Sequence, residues 1–420
     1  MTRSSTASRS AERKRAARPK RAAAGEGALA DVKVLELGSM LAGPFVGTML
    51  ADFGATVVKV EKPGKPDALR EWPPHKDGQP LWWKAMARNK RLITLDISLP
   101  AARRIALALM RRSDVVIENF RPGTLERWGF DPKRLAKRYP HLVWVRVSGY
   151  GQDGPYRDRG GYATIAEAYS GLASFTGFAD RGPMVSAFPL GDYLAGIFGA
   201  YGALAALHHR DRTGRGQIVD VSLFEPFLRI IEASMVRFDQ LGQKKARLGN
   251  EMEEDIPRNV YATADGGHIA VSCGSQRIVD NLLDAIGRPE LKADPRFVTV
   301  EARVEHRRAV DDVVKAWMAT VKTAAGEEIL RRHGVVAGRV YDIADVLADA
   351  HVHARRAVAA IADPELGSLR VPAPVPKLSA TPGRVAWTGK APGADNATVL
   401  GDWLDLGKAT LERLAKAGVI

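Results

Sequence analysis

The run Pro189-Leu190-Gly191-Asp192-Tyr193-Leu194-Ala195-Gly196 places a single acid among apolar and glycine residues, where a helix-like stretch reaching Leu207 begins. Two readings of Asp192 stand side by side. As a structural residue it caps the helix, which is what an Asp ahead of an apolar helix commonly does. As a chemical residue it is a nucleophile: an ordinary Asp is ionised at neutral pH and needs no base, and small neighbours let a bulky electrophile reach it.

The other constellations mostly exclude chemistry. A β-α turn followed by an acid at the end of the second strand, here Glu61, invites a dinucleotide site. The turn Gly38-Ser39-Met40-Leu41-Ala42-Gly43-Pro44 refuses it, being no GxGxxG and losing an amide at Pro44 where a pyrophosphate wants donors. Neither a P-loop nor a GxSxG elbow occurs. The single Cys273 excludes an intrachain disulfide and a CxxC pair, and reads as a small buried apolar residue. Histidines do not gather either: His208 and His209 are helix neighbours that point apart, and His351 and His353 sit in a charged, loop-like stretch. No metal is expected.

Charge narrows the partners. Residues 1 to 27 hold eight basic side chains against Glu12 and Glu26, so this stretch supplies six of the fourteen net positive charges. Its Ser, Ala and Arg content reads as a disordered basic tail, and its Arg-rich, acid-poor composition also fits an organelle transit peptide. A modestly basic remainder suits a polyanionic small molecule. Nucleic acid has only this composition in its favour, since no helix-turn-helix, zinc-finger or aromatic RNP signature is present. No run of eighteen apolar residues without a charge and no apolar signal stretch is found, so the expectation is a cytoplasmic protein without membrane contact.

The elements that position Asp192 follow from periodicity. Val32 to Leu37 and Thr56 to Glu61 read as strands around a helix from about Pro44 to Phe53, giving a β-α-β unit. Ala102 to Arg112 is helical, and Asp114 to Glu118, Leu142 to Ser148 and Gln217 to Leu223 are buried strands. Alternation of this kind predicts a doubly wound α/β sheet. Beyond it the texture changes to a short strand, His268 to Cys273, and charged helices, Arg303 to Thr320 and Ala324 to His333. With 420 residues two domains are expected: the tail 1–27, a large domain 28–225, a small α+β domain 226–350, and a C-terminal return 351–420 with an extended Arg370 to Pro382 and a last helix near Leu406 to Lys416.

Ordered landmarks now add to this reading. They are Val34-Leu35-Glu36-Leu37 running into Leu41-Ala42-Gly43-Pro44, Leu50-Ala51-Asp52-Phe53-Gly54-Ala55 leading to Val58-Lys59-Val60-Glu61, Asn89-Lys90-Arg91, Glu118-Asn119-Phe120-Arg121-Pro122-Gly123 with Gly129-Phe130, Gly149-Tyr150-Gly151, Gly191-Asp192, and Thr213-Gly214-Arg215-Gly216-Gln217. In this order and spacing, from about Leu29 to Ile420, the chain resembles the class III CoA-transferase (CaiB/BaiF) family, whose members include formyl-CoA and carnitine CoA-transferases and α-methylacyl-CoA racemases. The resemblance implies a Rossmann-like large domain, a smaller domain, an interlocked ring-like homodimer, and coenzyme A, as acyl-CoA, bound mainly by the large domain.

It also implies roles. Asp192 falls on the catalytic aspartate, Asn119, Phe120 and Arg127 on CoA-contacting positions, and Lys62 where a basic residue meets the adenosine part. Leu41 stands where formyl-CoA transferase has a glutamine near the acyl group, Ala163 replaces an acidic neighbour, and the glycine-rich lid of that enzyme has no match around Arg247 to Pro257, which argues against formyl-CoA and oxalate. The implied activity moves CoA from an acyl-CoA to a carboxylic acid through an anhydride and an aspartyl-CoA thioester. An acyl-CoA racemase is the alternative within the family, but its His-Asp-x-Asn-Tyr run aligns with Tyr162-Ala163-Thr164-Ile165-Ala166. Tyrosine is a poor base for an α-proton at neutral pH, so Tyr162 reads as a hydrogen-bond donor to an acyl or acceptor oxygen, or as core packing. The alternative of another class, a non-catalytic CoA- or nucleic-acid-binding protein, would not need Asp192.

Overall fold

The computed structural model describes residues 27–420, so all of the basic tail but Gly27 lies outside it. Six strands, β1 (Lys33–Glu36), β2 (Thr56–Glu61), β3 (Lys90–Thr94), β4 (Val115–Glu118), β5 (Val143–Ser148) and β6 (Ile218–Ser222), form one sheet. Its order is β3-β2-β1-β4-β5-β6, and every neighbouring pair is parallel. The order reverses between β1 and β4. In a doubly wound sheet that reversal opens a crevice at the carboxyl ends of the strands, where ligands bind.

Period-two geometry sends adjacent strand residues to opposite faces, and both faces are apolar here. Leu35, Val58 and Val116 pack on one side against helix α2 (Arg103–Arg111) and two late helices, α8 (Asn396–Leu404) and α9 (Lys408–Lys416). Val34, Val57 and Val115 pack on the other against α1 (Ala42–Asp52) and α4 (Leu190–Thr213). Between α1 and α4 the approach is close: a Cβ on Gly196 would lie 2.7 Å from the Phe45 ring and one on Gly199 2.7 Å from Val46. By length and composition alone α4 would also suit a membrane, but its small residues lie against α1 and the sheet. Near its far end Arg210 is paired with Asp114, at the amino end of β4, at 2.6 Å. A shorter helix, α3 (Ala163–Tyr169), packs on α4 near its start.

The expected strands and helices of this half are present with bounds shifted by a residue or two, except that α4 runs six residues past the expected Leu207, to Thr213; Thr56–Glu61 is unchanged. Strand β3 was not expected, because its first two residues, Lys90 and Arg91, break the apolar pattern. Its exposed side is closed by the returning C-terminal segment, where the Leu92 amide donates to Asp395 and the Thr94 amide to Asn396, both at 2.8 Å.

A separate core lies between Ile256 and Val335. Strands β7 (Arg258–Ala262), β8 (His268–Ser272) and β9 (Ala337–Arg339) pair antiparallel beside α5 (Gln276–Ala285), α6 (Arg307–Met318) and α7 (Thr323–Arg332). Cys273 is buried in this core. Two expectations are corrected here. The helix read as Arg303 to Thr320 is two helices, Val300–Glu305 and α6, separated at His306 where ψ reaches 25°. His351 and His353 belong to a short helix, Ala350–Ala354, rather than a loop, because the Asp349 carboxylate caps it through the Val352 amide.

Candidate active site

Two loops at the β1/β4 crevice are built by buried ionic groups. Lys59 Nζ donates to the Gly38 carbonyl at 2.8 Å and pairs with Asp67 at 2.8 Å and Glu36 at 3.1 Å. Asp67 accepts the Met40 amide, and Met40 stands in the left-handed region at φ 65°. Lys90 Nζ lies 2.8 Å from Glu36 and donates to the Pro44 carbonyl at 2.7 Å. Burial acts to raise the Asp67 carboxyl, but the Lys59 charge and the Leu69 and Met40 amides outweigh it and hold it below the usual range. For Lys59 burial is outweighed by Asp67, Glu36 and Glu61, which keep it charged, whereas burial pulls Lys90 below the usual lysine range despite Glu36. These charges fix the backbone from Gly38 to Pro44.

On the β4 side, Asn119 uses both ends of its amide on one residue, accepting the Ser39 amide and donating to the Ser39 carbonyl, each at 2.9 Å. The Phe120 amide donates to Glu118, which Arg146 engages at 2.7 Å, and the Phe120 ring meets Trp128 edge-on at 5.1 Å. Asn119 therefore shapes the turn that a ligand would meet. Phe120 is left facing the crevice.

Asp192 is the third residue of α4, whose N-cap is Pro189, and no side-chain hydrogen bond reaches its carboxylate among the described residues. The capping reading is thus corrected. Burial pushes its carboxyl up to about 6. Gly191 permits this placement, since a Cβ there would lie 3.0 Å from the Ala163 backbone, so the starts of α3 and α4 touch. Tyr162, at the N-cap of α3, is 76% exposed, which overturns core packing as its role.

Asp192 shares a cavity of about 280 Å³ with Tyr162, Leu41, Ser39, Asn119 and Phe120. Ser39 and Phe120 also line an adjoining cavity of about 300 Å³ that carries Lys62 and Lys65. The two together suit a long ligand with a reactive end at Asp192 and an anionic end among lysines. Lys62 is paired with Asp96 at 3.0 Å yet half-exposed. Arg127 is exposed, donates to Thr124, and lines neither cavity. Sequence reasoning missed Arg121 and Arg159, which line the Asp192 cavity. Arg121 sits inside the Glu118 to Gly123 landmark, while nothing local marks Arg159.

Residues 29–396 match the model of CoA-transferase family III. The chain belongs to that family. It is similar to succinyl-CoA–D-citramalate CoA-transferase of Chloroflexus aurantiacus, with 44% identity over 93% of this chain and 98% of the relative. Succinyl-CoA:glutarate CoA-transferase of Mus musculus is 31% identical over 93% of this chain and 90% of the relative. A crystal structure of a CaiB/BaiF family protein from Brucella suis superposes with a TM-score of 0.80 at 30% identity, covering 90% of this chain and all of that one. The family III member described here is an acyl-CoA:carboxylate CoA-transferase with CoA thioesters as substrates. The sequence resemblance pointed to the same family.

Proposed function

We propose that this CoA-transferase works through covalent intermediates on Asp192, with succinyl-CoA as donor and a small dicarboxylic acid as acceptor. The observation that carries the reading is the half-buried Asp192 carboxylate, without a side-chain partner among the described residues, on the wall of a cavity that adjoins a basic one. Succinyl-CoA and diacids are named by the relatives above, and this choice of substrates rests on that similarity.

In the first step an Asp192 oxygen attacks the thioester carbonyl, the C–S bond breaks, and CoA leaves as thiolate. The thiolate attacks the Asp192 carbon of the mixed anhydride, expelling succinate and leaving an aspartyl-CoA thioester. The acceptor carboxylate then attacks that carbon and releases the thiolate again. Attack of the thiolate on the acceptor carbonyl completes the exchange and restores the Asp192 carboxylate. Such covalent steps keep the acyl activation from being lost to water. Leu41, Asn119 and Phe120 line the path of the pantetheine arm in this reading, Lys62 takes the phosphate end, Arg127 contacts CoA from outside the two cavities, and Tyr162 donates to an acyl or acceptor oxygen.

A homodimer that works in the cytoplasm is part of the proposal, as is the division into a large and a small domain. Exposed apolar side chains on helix Glu232–Leu241, among them Val236, Phe238 and Leu241, and Tyr201 on α4 support a second copy covering that surface. The mechanism is tested by incubation with succinyl-CoA, quenching with hydroxylamine and mass mapping. Modification at Asp192, absent from Asp192→Ala, is expected, and a label elsewhere reassigns the nucleophile.

A further inference from the structure

Arg121 and Arg159 differ from other arginines around the sheet. Arg70, Arg88 and Arg146 are each paired with a carboxylate, Glu61, Asp52 and Glu118 respectively, at 2.6 to 2.7 Å. Among the described residues neither Arg121 nor Arg159 has a carboxylate within 4.0 Å, although both line the cavity that holds Asp192. A guanidinium without a partner beside a nucleophile is available to an anionic substrate.

The loop that carries Arg159 is seated rather than loose. A Cβ on Gly161 would meet the Cα of Gly149 at 2.8 Å, and the Gln152 amide donates to Asp220, so the segment is tied to the end of β5 and the middle of β6. The Arg159 guanidinium carbon lies 3.5 Å from the centre of the Tyr156 ring, which packs edge-on against Tyr150 and Tyr169. Such stacking holds the cation in place while leaving its N–H edge free. Arg121 reaches the same spot from the β4 side, because a Cβ on Gly160 would lie 3.6 Å from Arg121 Nη2. Two cations from distant parts of the chain therefore line one cavity.

We infer that Arg159 and Arg121 read the second carboxylate of a dicarboxyl substrate, the one that never becomes a thioester. The inference rests on the covalent reading of Asp192. A diacid approaching an ionised Asp192 brings two negative charges toward a third, and two guanidinium groups offset that repulsion. Both arginines line the cavity of Asp192 and, among the described residues, form no ion pair with it within 4.0 Å, which leaves them for the distal carboxylate. The phosphates of CoA have their own cations, Lys62 and Lys65, in the adjoining cavity.

The test compares succinyl-CoA with butyryl-CoA, its isostere without the distal carboxylate, as donors to the wild type, Arg159→Gln, Arg121→Gln and Arg159→Lys. Initial rates and inhibition by free CoA are recorded for each. The expected result is a fall of about 100-fold in kcat/KM for succinyl-CoA in the Gln variants, a far smaller fall for butyryl-CoA, and an unchanged inhibition constant for CoA. Arg159→Lys should recover part of the loss, since it keeps charge but not the two-pronged geometry. Equal losses for both donors, or weaker inhibition by CoA in step with the loss, overturn the inference, the second outcome assigning the arginines to phosphate. Failure of the underlying mechanism looks different, because wild-type enzyme would then show no label on Asp192 with either donor.

Discussion

The Asp67 carboxylate accepts the Met40 amide through both oxygens, at 3.0 and 3.2 Å, and by doing so holds a non-glycine residue in the left-handed region. That conformation costs an L-residue about 1–2 kcal/mol, and Lys59 keeps the carboxylate charged to offset it. Asp67→Asn should raise KM for the acyl-CoA about tenfold with a smaller change in kcat. Adding Met40→Gly should restore part of the loss, since glycine takes this backbone without strain. Steady-state kinetics of the single and double variants decide it, and a double variant no better than Asp67→Asn would deny Asp67 a conformational role.

Asp192 gives a pH signature. In the proposed mechanism only the carboxylate attacks, so kcat/KM should climb as pH rises through about 6 and level off above it. A pH–rate profile with succinyl-CoA measures this directly.

The same shift has a stability consequence of opposite sign. The folded-state pKa lies above the unfolded one, so the contribution of Asp192 to stability is complete below the unfolded value and is lost as pH rises through about 6. Asp192→Asn, neutral throughout, should therefore be more stable than the wild type at pH 7.5, by at most about 3 kcal/mol, with the gap closing toward pH 4. Thermal melts across that range check it. A less stable variant at pH 7.5 would mean that the carboxylate has a partner in the folded protein.

Asn119 is predicted to act through Ser39. Asn119→Asp keeps the acceptor for the Ser39 amide but sets an oxygen against the Ser39 carbonyl, now 2.9 Å from the side-chain nitrogen. Expected is a rise of about tenfold or more in KM for acyl-CoA, with Asn119→Ala less harmful, because a repulsive contact is worse than an absent one. The reverse ranking in a kinetic comparison would point to direct contact with CoA.

Gly199→Val should push α1 from α4, since a Cβ at 199 would already be 2.7 Å from Val46. Overpacking of this kind costs about 1–3 kcal/mol. Urea unfolding measures it, and an unchanged midpoint would show that the two helices yield.

With a 2-methylacyl-CoA in deuterium oxide, the enzyme should move CoA to a diacid without exchanging the α-hydrogen. In the resemblance Tyr162 aligns with the racemase histidine, and here it is 76% exposed on the wall of the Asp192 cavity. Proton NMR of the recovered thioester reads the exchange, and rapid deuterium uptake without transfer would favour racemisation.

Much of the sheet was legible because its strands are apolar on both faces, as Val57-Val58 and Val115-Val116 show. Strand β3 was not, since Lys90 is buried against Glu36 and the Pro44 carbonyl, 54 and 46 positions earlier in the chain. Asp192 was found by its isolation among small residues, but whether it capped α4 depended on where the helix starts, and that is set by contact with Ala163. Arg121 and Arg159 share the Asp192 cavity only because the segment from Gly149 to Gly161 folds against the end of β4, a tertiary fact with no local signal.

Helix α4, about 36 Å long, carries Asp192 at one end and at the other is tied by Arg210 to Asp114 on the far side of the sheet. Asp192 thus takes its position from a helix packed on the central sheet, whereas Arg121 and Arg159 ride on exposed segments. Divergence after gene duplication can redraw those segments and, on the reading proposed above, the range of acids accepted, while each descendant inherits Asp192 at the same place on its helix.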